Sequence, residues 1–281
     1  MEKRAVGGMS LFFEAEEREA AQWIGAACEQ SERLIHRLWG LPTPVDCRVY
    51  VMTSPLRFVF HSAPWLWRAW LALFLPLWYP RARQTWRFAG GWAQAYGRRY
   101  TVGVKPPRLL TQSDRSIGQR IFVPVTDPGE KVRHVICHEL THAFSAHLKL
   151  PVWLNEGLAM VTVDQFVGRP TVQPRTLSLL QDAPGRAGTR SYRRARVTDP
   201  EAIIHCYVQG YWLTRYLFDT QPDFLESLLA RRYAHQALQD RVAEACAIDR
   251  QAFWAESDRV VVSHFRHEAA PGSEPRLQES R

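Results

Sequence analysis

The hydrophobic positions of this chain follow a strict alternation in some segments and a helical period in others. Alternation is clearest at 45–52, and the short segments 98–105 and 119–125 are predicted to be two further strands. A helical period runs through 11–38 in front of them. This order predicts a small N-terminal sheet with a leading helix.

A second helix is predicted to begin after Asp127. Asp127 suits the N-cap, Pro128 suits the first helical position, and Glu130 completes a capping box. Apolar residues then recur at helical spacing as far as Ala143. Four further segments with a helical period follow in the C-terminal half, namely 201–219, 222–234, 236–246 and 249–264.

Residues 138–142 of the predicted helix read HELTH, a pattern typical of zinc hydrolases. His138 and His142 are four residues apart, so both imidazoles project from one helix face and can share a metal ion. Glu139 stands beside the first histidine, where a carboxylate can activate a zinc-bound water by accepting its proton. Zinc in a hydrolase usually takes three protein ligands, so one more ligand is needed.

The third ligand is expected from the segment 151–159, which reads PVWLNEGLA. Asn155 is predicted to cap a further helix and to place Glu156 in its first turn. A short connection lets this helix pack antiparallel to the first and bring Glu156 to His138 and His142. The sequence therefore predicts one Zn2+ ion per chain on these three side chains.

Two other classes of zinc protease conflict with the sequence. The extended metzincin pattern needs Gly and His three and six residues after His142, and Ser145 and Leu148 stand there instead. An intramembrane protease would carry the motif in a long apolar helix, which the charged Lys131 and Arg133 argue against.

HELTH followed by PVWLNEGLA resembles the gluzincin metallopeptidases, in particular the peptidase MA-like family. The similarity extends to residues 207–217 and to the helical segment 224–260. The resemblance implies a zinc-dependent metallopeptidase that hydrolyses peptide bonds of a peptide or protein substrate. It also implies an edge strand along the cleft, to which an extended substrate adds, and 99–105 is the segment we expect there.

The resemblance further implies roles for individual residues. It makes His138, His142 and Glu156 the zinc ligands, Glu139 the base and proton shuttle, and Tyr207, or in second place Tyr211, the donor that steadies the oxyanion. The chain departs from the pattern at Met160, where some gluzincins carry an acidic residue that holds the first histidine. Asp164 is the candidate for that support.

The segment 64–80 is apolar, carries four tryptophans and is followed by arginines. It is shorter than the roughly 20 apolar residues that span a membrane. Tryptophan with nearby arginine is typical of a membrane interface, so peripheral contact at the inner membrane surface is one interpretation. A buried hairpin or an oligomer contact is the other.

Composition bears on the expected partners of the protein and on its location in the cell. Lys and Arg number 36 against 28 Asp and Glu, a formal charge of +8, but no nucleic-acid-binding motif accompanies the charge and no nucleic-acid partner is expected. The five cysteines are far apart and never form a CxxC pair, which favours a reducing, cytoplasmic location. We recognise no secretory signal at the N-terminus.

The predicted fold class is α+β, with a small N-terminal sheet plus helix, two zinc-binding helices and a helical C-terminal half. Its predicted parts are 1–126, with an aromatic-rich insertion at 56–80, then 127–267, and a disordered tail at 268–281. A long basic loop is predicted at 169–200, with a helical piece near 177–180. Two functions without catalysis stay open: a zinc-bearing, membrane-associated scaffold anchored by 64–80, and a regulatory module whose basic loop binds an acidic partner.

Overall fold

The computed structural model describes residues 1–110, 117–185 and 200–268, in which five strands form one mixed sheet. The spatial order is β1-β2-β3-β5-β4. β2, β3 and β5 run parallel, and β1 and β4 are antiparallel strands at the two edges. The strands are β1 Glu2–Val6, β2 Met9–Phe13, β3 Asp46–Val51, β4 Gly91–Tyr96 and β5 Arg99–Val104.

Thirteen α-helices lie in the same described residues, and the protein is a mixed α and β structure as predicted. They are α1 Arg18–Trp39, α2 Pro55–Ser62, α3 Trp65–Leu73, α4 Leu75–Phe88, α5 Pro107–Leu110, α6 Gly118–Ile121, α7 Pro128–Ser145, α8 Val152–Val167, α9 Leu177–Asp182, α10 Pro200–Thr220, α11 Pro222–Leu229, α12 His235–Ala245 and α13 Phe253–Glu268. Among these described helices, none combines the length and the apolar character needed to cross a membrane.

The sheet carries helices on both faces. Val49 of β3 belongs to the main core, which the sheet shares with α1, α7, α8 and α10. Its neighbour Tyr50 points the opposite way and packs in a smaller cluster with residues of α2, α3 and α4. The edge strand β4 contributes to both layers, because Ala93 packs against the main core and Trp92 against the smaller cluster.

Several predicted elements are confirmed and several are corrected. The strands at 45–52 and 98–105 are β3 and β5, and the helical piece near 177–180 is α9. The four C-terminal helices are present as α10 to α13, although α11 ends at Leu229 and α13 begins at Phe253. The basic loop beyond residue 185 and the predicted tail after 268 lie outside the described residues.

The predicted strand 119–125 is wrong. Gly118–Ile121 is a helical turn, and Phe122 makes one isolated bridge to Val172. Pro124 follows at once and has no backbone N–H to continue a ladder. Besides β3 and β5, the sheet consists of β1, β2 and β4, which were not predicted.

The predicted helix 11–38 begins later than its apolar pattern suggested. Gly7 and Gly8 form a two-residue connection between β1 and β2, with Val6 opposite Met9. Gly7 has a φ of 55°, a conformation that favours glycine in such tight hairpins. Residues 11–13 therefore complete β2, and α1 starts only at Arg18.

Two corrections concern the surroundings of the cleft. The segment 99–105 is not the edge strand, because β5 pairs with β3 on one side and with β4 on the other. The edge on this side of the sheet is β4, Gly91–Tyr96. The segment 64–80 is not a buried hairpin either, since it forms α3 and the start of α4 and no residue of α3 is buried.

Candidate metal centre

Helix α7 presents the first two histidines of the motif. Asp127 caps it as predicted, accepting hydrogen bonds from the backbone N–H groups of Gly129 and Glu130 at 3.1 and 2.9 Å. Buried apolar residues fix the opposite face of α7 in the core, among them Val132, Ile136 and Leu140. This packing turns the face that carries His138 and His142 towards α8.

Helix α8 supplies the third side chain of the cluster, the carboxylate of Glu156, but the helix begins earlier than predicted. Pro151 occupies the N-cap position and Val152 starts the helix. Asn155 is therefore inside the helix, where its backbone N–H donates to the Pro151 carbonyl at 3.0 Å. Glu156 lies in the second turn rather than the first, and the Asn155 side chain accepts a hydrogen bond from Ser145 of α7 at 3.3 Å.

The side chains of His138, His142 and Glu156 converge on one point. The two Nε2 atoms lie 3.1 Å apart, and Glu156 Oε2 lies 3.3 Å from His138 Nε2 and 3.5 Å from His142 Nε2. A tetrahedral zinc ion with ligands at about 2.0–2.1 Å has donor atoms separated by roughly 3.3 Å. The three donor atoms therefore have the spacing of one face of a zinc tetrahedron.

Unsatisfied polar atoms support the same interpretation. Glu156 Oε2 is buried, and no hydrogen-bond donor for it is found in the described parts of the chain. A buried carboxylate oxygen without a donor is costly, and a cation bound between the three side chains would remove that cost. The side chains of His138, His142 and Glu156 are 19%, 13% and 10% exposed, so the cluster is largely enclosed by the protein.

The charges at the centre are strongly coupled. Burial opposes ionisation of Glu156, but the imidazoles of His142 and His138 outweigh it and hold the pKa of Glu156 below its usual range. Burial also opposes a charged His142, yet the Glu156 carboxylate raises the pKa of His142 to about 9. The carboxylate thus draws positive charge to the position that a divalent cation would take.

Glu139 lies on α7 next to this cluster and against strand β4. Burial raises the pKa of Glu139 above its usual value, while His142, His138 and a hydrogen bond from the Ala93 backbone act in the opposite direction. The strand comes this close because residue 91 is glycine. A Cβ on Gly91 would lie 2.4 Å from Glu139 Cγ.

The structure brings Tyr211 to a different place from the three donor atoms. Its hydroxyl donates a hydrogen bond to Asp164 Oδ2 at 2.7 Å, and the side chain is fully buried. Asp164 Oδ1 accepts from both the backbone N–H and the hydroxyl of Thr171, at 2.7 and 2.6 Å. Both oxygens of Asp164 are therefore occupied, and the expected support of His138 by Asp164 is wrong.

Tyr207 lies one turn earlier on α10 and is partly exposed. Its neighbour Cys206 is close enough to Glu156 for that carboxylate to raise the pKa of the thiol, together with burial. Gly210 approaches α8 so closely that a Cβ there would lie 2.4 Å from the Trp153 carbonyl oxygen. This part of α10 therefore runs directly beside the helix that carries Glu156.

Sequence reasoning missed the contributions of β4 and of the glycines. The pair Gly90 and Gly91 gave a usable signal, because glycine in a strand often marks close approach of another element.

No protein-family model matches the chain, and a search of curated proteins finds no match. The case for the centre rests on its motif and its geometry.

Proposed function

We propose that the protein is a zinc-dependent metallopeptidase of the gluzincin type. The observation that carries the proposal is the convergence of His138, His142 and Glu156 with tetrahedral spacing, with Glu139 beside them on the same helix. Two neutral imidazoles and one carboxylate are a donor set used by catalytic zinc sites, which keep a fourth position open. A bound zinc ion supplies a Lewis acid that polarises the scissile carbonyl and acidifies a water molecule.

Glu139 is the proposed general base. It takes a proton from the attacking water as the new C–O bond forms, and delivers this proton to the leaving nitrogen as the C–N bond breaks. Its raised pKa suits both steps, because a carboxylate that ionises nearer neutral pH accepts and releases a proton more readily. Tyr207 is the proposed donor to the oxyanion, since the Tyr211 hydroxyl is held by Asp164.

The substrate is proposed to bind along β4. Within residues 1–110, 117–185 and 200–268 no strand pairs with β4 on the side away from β5, and the Ala93 backbone lies at Glu139. An extended peptide that adds to the edge forms main-chain hydrogen bonds irrespective of its side chains, and so passes the base in a fixed register. The proposed substrate class is therefore an extended segment of a peptide or protein.

The test combines metal content with cleavage of a broad peptide library. Glu139→Gln is expected to keep about one zinc per chain and to lose cleavage, because the amide cannot accept the proton. Glu156→Ala is expected to lose most of its zinc as well as its activity. Glu226→Gln and Glu226→Ala are matched controls on the exposed surface of α11 and should behave as the wild type. Normal turnover in Glu139→Gln would overturn the mechanism.

A zinc-bearing scaffold is the second candidate function, and the exposed aromatic helix α3 favours it. It predicts zinc in the wild-type chain but no cleavage of any library peptide, and no effect of Glu139→Gln on any property. The absence of zinc from wild-type protein prepared with excess metal would remove both functions.

A further inference from the structure

Helices α3 and α4 form an arm, residues 65–88, that stands out from the sheet. Leu71, Trp78 and Trp86 of the arm pack on the smaller cluster around Tyr50. The Trp78 indole N–H donates to the Leu71 carbonyl at 2.8 Å and so joins the two helices of the arm. The rest of α3 is turned to solvent, and no residue of this helix is buried. The arm thus packs against the smaller cluster on one side, while most of α3 is exposed.

Large apolar side chains are concentrated on this arm. Six of them are between 49% and 77% exposed, namely Trp65, Leu66, Trp67, Trp70, Leu73 and Leu77. Single exposed apolar residues are normal on a protein surface, but a contiguous group of this size marks a binding surface. Three of the six are tryptophans, and tryptophan is the typical side chain at the headgroup level of a bilayer.

The charged side chains of the arm itself have one sign. From residue 47 to residue 113 the chain contains no Asp or Glu, whereas Arg68, Arg81 and Arg83 are exposed on the arm itself. Arginines beside an aromatic group add electrostatic attraction to anionic headgroups, at a range of about 10 Å in 0.1 M salt. A surface of this composition is complementary to an anionic bilayer.

We propose that the arm docks the protein on the surface of an anionic lipid bilayer, with the tryptophans at headgroup depth. A second copy of the chain fits the same surface poorly. A twofold contact places the same surface of each copy against the other, so Arg68, Arg81 and Arg83 of one arm would meet a second arm that is also cationic and has no acidic residue to pair with them.

The arm also touches the proposed substrate strand. The ring of Trp67 lies 5.7 Å from that of Tyr96 at the end of β4, and Trp92 packs in the cluster that anchors the arm. The opposite face of β4 carries Ala93, which lies at Glu139. Docking therefore holds the edge of β4 close to the membrane, and, resting on the proposed peptidase function, makes protein segments at the membrane surface the substrate class.

The experiment is cosedimentation of the full chain with vesicles of phosphatidylcholine, alone or mixed with phosphatidylglycerol. Binding is expected to the mixed vesicles and to fall in 1 M salt, where screening shortens the electrostatic range to about 3 Å. The double variant Trp65→Ser/Leu73→Ser is expected to bind about tenfold more weakly, because two of the most exposed apolar side chains no longer enter the interface. Trp23→Ser, which removes an exposed tryptophan from α1 on the other face of the sheet, is the matched control.

A second pair of variants tests the contribution of the arginines of the arm. Arg81→Gln/Arg83→Gln is expected to weaken binding to the mixed vesicles about tenfold or more, whereas Arg33→Gln/Arg37→Gln on the exposed face of α1 should leave it unchanged. Undiminished binding in both arm variants would overturn the proposal. So would a wild-type dimer that ignores vesicles and becomes monomeric in Trp65→Ser/Leu73→Ser, because the arm would then be a contact between copies.

Cosedimentation requires no catalysis, so its outcome is separate from the peptidase function. Glu139→Gln is expected to bind vesicles as tightly as the wild type. With the active enzyme, a peptide tethered to vesicles should be cleaved faster than the same peptide in solution, and Trp65→Ser/Leu73→Ser should lose only this advantage. Equal cleavage of both peptides by the wild type would overturn the substrate assignment and leave the peptidase intact.

Discussion

The hydroxyl of Tyr211 donates a 2.7 Å hydrogen bond to Asp164, and this bond separates the two tyrosines that the sequence offers as oxyanion donors. Asp164 is fully buried, and burial raises its pKa despite hydrogen bonds from Thr171 and Tyr211 and the nearby Arg215. A buried carboxyl group of this kind depends on its donors. Tyr211 is thereby held in a structural contact, and Tyr207 is the proposed oxyanion donor.

Phenylalanine substitutions distinguish the two roles. Tyr211→Phe is expected to lower the free energy of unfolding by about 2 kcal/mol, since a buried carboxyl group loses a donor, and to leave kcat nearly unchanged. Tyr207→Phe should lower kcat by about 100-fold or more with no change in zinc content, as expected for loss of an oxyanion donor. Urea unfolding measures the free energy of unfolding of each variant, and peptide cleavage measures its kcat. A loss of kcat in Tyr211→Phe without loss of stability would reverse the assignment.

The contact between α8 and α10 gives a prediction about Gly157. A Cβ at this position would lie 2.2 Å from the carbonyl oxygen of Gly210 and 2.1 Å from the hydroxyl of Thr214. A methyl group cannot fit against helix backbone, so Gly157→Ala should cost about 3 kcal/mol or more and shift the adjacent Glu156. Zinc affinity should fall with stability.

Gly118→Ala is the matched control for this contact, because a Cβ on Gly118 meets no atom within 4 Å. Its unfolding free energy and zinc content are expected to equal those of the wild type. If Gly157→Ala behaved like this control, the two helices would not be packed as closely as described.

Gly91 lets strand β4 lie against the proposed base. Its Cβ position is 2.4 Å from Glu139 Cγ and 2.9 Å from Glu139 Cδ, so Gly91→Ala forces the carboxylate to turn. Displacement of a catalytic group by about 1 Å can cost on the order of 100-fold in rate, and we expect a loss of this size in kcat. Zinc content should be retained, because the three ligands lie on α7 and α8. Ala95→Ser, at an exposed position of the same strand, should keep full activity, and an active Gly91→Ala would show that Glu139 is not held by β4.

The convergence of His138, His142 and Glu156 was predictable from sequence because it depends on local geometry. Two histidines four apart share a helix face whatever the rest of the fold does. Glu156 follows after a connection too short to carry α8 away from α7. The error in the start of α8 did not matter, because Glu156 meets the histidines from the second turn as well as from the first.

The elements around these residues were less predictable because they depend on distant contacts. The segment 91–96 reads GWAQAY and has neither a strong alternation nor β-branched residues. It forms a strand because it pairs antiparallel with β5. The pairing of Tyr211 with Asp164 joins residues 47 positions apart on two helices. Helical spacing alone cannot tell which of the two tyrosines on α10 hydrogen-bonds to Asp164 of α8.

A buried carboxyl group on α13 makes stability depend on pH. Asp258 accepts hydrogen bonds from the Gly185 backbone N–H at 2.6 Å and from the Gln209 amide at 2.9 Å. Burial nevertheless raises the pKa of Asp258 from 3.8 to about 6 in the folded protein. Below about pH 4 the group is protonated in both states, so it contributes no pH dependence there.

Between pH 4 and pH 6 the folded state keeps a proton on Asp258 that the unfolded chain has released. The free energy of unfolding therefore falls as pH rises through this range, by about 2–3 kcal/mol in total from the shift in the pKa of Asp258. Asp258→Asn cannot ionise and should lack this part of the slope in urea unfolding measured from pH 4 to pH 7. Asp223→Asn, at an exposed position on α11, should keep the wild-type slope. If the Asp258→Asn curve ran parallel to that of the wild type, the carboxyl group would be ionising freely in the folded state despite its burial.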